Sequence, residues 1–82
     1  MTQFELKEKI KRVLGENLDY LKVGHRILVE FKESGGSQDE ALRELEELRK
    51  WVGPADEDKI LELMDFVSGF CNPKFRIWQT KI

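Results

Sequence analysis

The chain has 82 residues, 40% hydrophobic and 37% charged, with a formal net charge of −2 and a single cysteine. This describes one folded domain with a thin core, since a chain of this size buries only about 60% of the surface it exposes when unfolded, and its aromatic content is too high for a disordered chain. A lone cysteine excludes an internal disulfide. No leading apolar stretch resembles a secretion signal and no run approaches the ~20 apolar residues that span a bilayer, so the expectation is a cytoplasmic protein with no membrane partner.

Thr2 and Glu5 have the spacing of a capping box and predict a helix start. Leu6, Ile10, Val13, Leu14, Leu18, Leu21, Leu28 and Phe31 then fall on one face of a 3.6-residue wheel, with His25 among them. An unbroken helix from Gln3 to Glu33 would be ~45 Å long at ~1.5 Å per residue, with nothing else in the chain long enough to cover it. A break is therefore expected at Gly15-Glu16-Asn17, with Asn17 as a candidate cap.

Ser34-Gly35-Gly36-Ser37 reads as a loop: the paired glycines suit a left-handed helix stop, and Ser37 with Glu40 forms a second capping box. The helix that follows, from Gln38 to Val52, turns Ala41, Leu42, Leu45, Leu48 and Val52 inward, and Asp39/Arg43 and Glu46/Lys50 have the i,i+4 order that favours ion pairs. Gly53-Pro54 should end it. A last helix is expected from about Asp56, capped by that carboxylate, with Glu57 and Asp58 at the positive end of its dipole. Its wheel centres on Leu63, with Ile60, Met64, Phe66, Val67, Phe70 and Cys71 in a broad apolar arc, and leaves Asp58, Glu62 and Asp65 in a narrow outward stripe. Asn72-Pro73 stops the helix. Phe75, Ile77 and Trp78 are too apolar for a loose tail, so an ordered extended C-terminal segment is expected across the bundle or against another copy. The fold class is thus an all-α bundle of three or four helices.

Charge is unevenly spread. Ser37 to Asp65 carries ten acids against four bases, a net of −6, while residues 1–36 carry +1 and residues 66–82 carry +3. An acidic middle disfavours phosphate backbones and favours a basic protein partner. A helix-turn-helix reading of the last two helices would present Asp56-Glu57-Asp58 where base edges are read, so no nucleic acid is expected.

The catalytic and ligand signals are weak. His25 has neither a nucleophile nor metal ligands at a recognisable spacing and reads as a packed histidine. Cys71, the one thiol His25 could serve, reads as core. Glu62 and Asp65, three apart on one stripe, lack the opposed, differently solvated placement of a catalytic carboxylate pair. No phosphate loop, metal cluster or nucleotide motif is present, so no cofactor and no enzyme activity are expected. The stronger candidate is a binding surface made of Glu40, Glu44, Glu47 and Trp51 along one side of the Gln38–Val52 helix, with Asp58, Glu62 and Asp65 as a second stripe. The plain alternatives are a solvated, ion-paired face and a Trp51 that closes the core at the Gly53-Pro54 turn.

With that acidic middle, "GGSQDEALRELEELR" and "LELMDFVSGFCNPKFRIW" resemble small helical bacterial proteins of the immunity type found in polymorphic-toxin systems. The resemblance implies an intracellular binder that blocks a cognate toxin through acidic surface groups. The competing expectation is a self-associating structural or regulatory protein, in which the apolar tail completes a homodimer.

Overall fold

The structure, a computed structural model, describes residues 1–16, 19–69 and 76–78. These form four helices, α1 (Gln3–Gly15), α2 (Tyr20–Glu33), α3 (Gln38–Arg49) and α4 (Pro54–Ser68), with no strand among the described residues. The fold is all-α, with the first apolar stretch divided as its length requires.

Local chemistry sets most helix ends. Thr2 accepts the Glu5 N–H at 3.1 Å, although the Glu5 carboxylate takes the Thr2 hydroxyl and not the cap backbone, so only half of the box forms. Ser37 and Glu40 form the full reciprocal box, at 3.1 Å and 3.0 Å. Gly35 (φ 99°) follows α2 and Gly69 (φ 91°) caps α4, both in the left-handed region that side chains resist.

Several ends and faces differ from the sequence reading. Asp19 caps α2, accepting the Lys22 N–H at 3.4 Å, where Asn17 was the candidate; Asn17 and Leu18 lie outside the described residues. α3 ends at Arg49, three residues short of Val52. α4 begins at Pro54 with Gly53 as its cap, because proline's fixed φ suits the first helical turn and its missing N–H is no loss there. Asp56 is therefore inside the first turn, paired with Lys59 at 3.6 Å. The Asp39/Arg43 and Glu46/Lys50 pairs do not form; Glu46 turns to Arg49 at 3.1 Å. Leu21 is 37% exposed, since the break restarts the helical phase and the buried stripe of α2 becomes Gly24, Ile27, Leu28 and Phe31.

The helices pack as two hairpins. α1 lies beside α2 and α3, and α4 beside α3 and α2. Gln3 of α1 reaches Glu40 of α3, so those two helices start at the same end; Tyr20 reaches Glu62 and Gly24 meets Leu63, so α2 and α4 also run in one sense. Leu6, Ile10, Leu28, Phe31, Leu45, Ile60, Leu63 and Val67 form the fully buried centre. At the end where α2 and α4 finish, Ile77 is buried and joins this core, with Trp78 half-buried against it. Phe70, Cys71 and Phe75, also expected inward, lie outside the described residues.

Candidate functional site

On α3 the capping box fixes Glu40 at the first turn. Its carboxylate accepts the Ser37 backbone N–H and the Gln3 side-chain amide, and bonding to Ser37, then to Gln3, holds its pKa below the ordinary carboxylate value. The link to Gln3 places the stripe of Glu40, Glu44 and Glu47 on the flank of α3 that faces α1, with all three half-exposed. Trp51 follows in the turn after α3, its N–H donating to Leu48 O at 3.0 Å and its side chain pointing outward: the residue is 78% exposed. The alternative in which Trp51 closes the core is overturned, because the helix ends before it and Val52 turns in.

Asp58, Glu62 and Asp65 are all exposed on α4, as the wheel places them. Glu62 Oε2 accepts from the Tyr20 hydroxyl at 2.6 Å, and Lys59 Nζ lies 5.4 Å from the Tyr20 ring centroid. This stripe therefore belongs to the flank of α4 that faces α2. The seven candidate residues do not converge on one patch. They line opposite flanks of the α3–α4 hairpin, and the shared outer face between them carries Arg49, which pairs with Glu46 at 3.1 Å and lies 3.4 Å from Glu57 without hydrogen-bond geometry.

None of the six candidate carboxylates belongs to an ion pair among the described residues; in this acidic segment the paired acids are Glu46, Asp56 and Glu57. The cations Arg49 and Lys59 are thus occupied elsewhere.

Of the catalytic candidates, the structure describes His25, Glu62 and Asp65. His25 packs edge-on against Phe66, ring centroids 5.0 Å apart at 85°. Cys71 lies outside the described residues. Among the described residues no three His, Cys, Asp or Glu side chains are placed to hold a metal ion, and no helix is long and apolar enough to cross a membrane.

Two surface features escaped the sequence reading. Tyr20 joins the hairpins, a contact no helical period announces because it depends on how α2 meets α4. Phe4 is 69% exposed on the outer side of α1, and its position across the wheel from Leu6 and Ile10 was a usable signal. No protein-family model, curated protein or solved structure matches the chain.

Proposed function

We propose that this protein is a small non-catalytic interaction module that binds a basic protein partner through the α1-facing flank of α3, with Glu44, Glu47 and Trp51 at its centre and Glu40 at its edge. The observation that carries this reading is Trp51, 78% exposed in the turn that follows a helix whose Glu44 and Glu47 carboxylates join no ion pair among the described residues. A bare tryptophan offers a large rigid apolar face, the residue type most enriched among dominant interface contacts. Flanking carboxylates steer a cationic partner and reject an anionic one. Asp58, Glu62 and Asp65, on the other flank, form a separate and secondary contact for a partner large enough to wrap the hairpin. An immunity-like role, in which the partner is a basic toxin, is the form of this function that the resemblance of the α3 and α4 segments supports.

The test uses the protein as bait against lysate of its own cell, with Glu44→Lys/Glu47→Lys and Trp51→Ala baits in parallel. The wild type is expected to retain a basic protein that elutes at raised salt, the double reversal to lose it through slower association, and Trp51→Ala to release it faster. A partner held equally by all three baits would move the site off this flank.

A further inference from the structure

We propose that Arg76–Trp78 is a displaceable strap in a groove between the ends of α2 and α4, and that the groove accepts the same segment from a second copy of the chain. The site lies away from Trp51 and does not depend on the reading given above.

The groove recognises Ile77 in all its parts. Its side chain is sunk among the core residues, with the residue 4% exposed. Its N–H donates to Phe66 O at 3.4 Å, in the last turns of α4, and its carbonyl accepts from Lys32 Nζ at 2.8 Å, in the last turn of α2. The next side chain, Trp78, meets Phe31 edge-on with centroids 6.5 Å apart. Such a site reads main-chain donor and acceptor together with one aliphatic pocket and one aromatic contact, the logic by which proteins bind extended peptides. The neighbouring carbonyl of α4, Val67 O, accepts from Gln38 Nε2 at 2.7 Å, so the start of α3 is tied to the same end of α4 that holds the strap.

The strap is also weakly fastened in comparison with the helices. Among the described residues its fastenings are one buried side chain, one long backbone bond, one lysine bond and one ring contact, fewer than hold any helix, and a segment so held opens at lower free energy than the four-helix core. The Arg76 side chain lies along the C-cap of α4, its Nε 3.7 Å from where a Cβ on Gly69 would sit. An identical segment on a second molecule makes identical contacts, the low-cost exchange of domain swapping. The tether gives the strap an effective concentration of order mM over its own groove, which keeps exchange minor in dilute protein and raises it as protein concentration approaches that value.

The test uses full-length chains and a labelled peptide with the sequence of Lys74–Ile82 as the stand-in for the second copy. Ile77→Asp empties the groove from within and should bind the peptide at least ~10-fold more tightly than wild type, in which the groove is competent only while the strap is open. If Ile77→Asp does not fold, Trp78→Ala, which loosens the strap while keeping Ile77, should bind several-fold more tightly than wild type. The wild-type chain should also sediment with a growing dimer fraction up to about 1 mM. Peptide binding no tighter to either folded variant than to wild type, or a strict monomer at that concentration, would overturn the proposal.

Discussion

Tyr20 ties the two hairpins together through one hydroxyl, and its ionisation exposes that tie to measurement. Donation to Glu62, then burial, then the charges of Glu62, Asp19 and Asp58 raise its pKa above the ordinary tyrosine value. The fold favours the neutral phenol, so the contribution of this bond is complete below the ordinary value and is lost as pH rises through the raised one. The chain has one tyrosine, so an alkaline absorbance titration reads Tyr20 alone. We expect a midpoint above that of an exposed tyrosine, falling back in Glu62→Ala; equal midpoints would dissolve the contact. Glu40 has the opposite sign. Its pKa is lowered by Ser37 and Gln3, so its contribution is present above the ordinary carboxylate value and disappears as pH falls through the lowered one. Glu40→Gln has one acceptor oxygen where the carboxylate uses two, so it should lower the melting temperature near neutral pH and flatten the acid side of its profile.

Within single elements, two glycines make opposite demands. Gly24 sits in α2 where a Cβ would come within 2.6 Å of Leu63 Cδ2, in a fully buried side chain that must shift to admit it. Gly24→Ala gains about 1 kcal/mol of helix propensity but meets overpacking of about 1–3 kcal/mol, so a net loss in denaturant midpoint is expected. Gly15, the last residue of α1, has nothing within 4 Å of its Cβ position, and Gly15→Ala should stabilise by about 0.4–1 kcal/mol. Equal effects would mean that α2 and α4 are not pressed together at Gly24. Element ends were legible where one local rule acts alone, as at Ser37 with Glu40 or at Gly35. They were misread where two rules compete: Gly53-Pro54 and Asp56 both signal a start, and the proline's preset backbone decides it. The acidic stripes were legible as stripes, because each follows one helix. Their placement on opposite flanks was not, since that depends on Gln3 meeting Glu40 and Tyr20 meeting Glu62 across helices far apart in sequence.

All four helices and Ile77 contribute to a single buried cluster, which has a consequence for how the molecule unfolds. No helix has a core of its own: α1 supplies Leu6 and Ile10, α2 Leu28 and Phe31, α3 Leu45 and Leu48, and α4 Ile60, Leu63 and Val67 to the same interior. At roughly 0.05–0.15 kcal/mol per residue, a chain of 82 residues has about 4–12 kcal/mol of total stability. Leu63 is wholly buried and packs against Gly24 of α2, so Leu63→Ala should cost about 2–5 kcal/mol, a large share of that total. Because the loss falls on a shared core, it should lower the stability of both hairpins at once. Urea unfolding followed by helical circular dichroism and by tryptophan fluorescence, which reports Trp51 beside α3 and Trp78 beside α2, should give coincident curves in wild type and variant, shifted together to lower urea. Separation of the two probes in Leu63→Ala, with one hairpin outlasting the other, would show two cores where the structure has one.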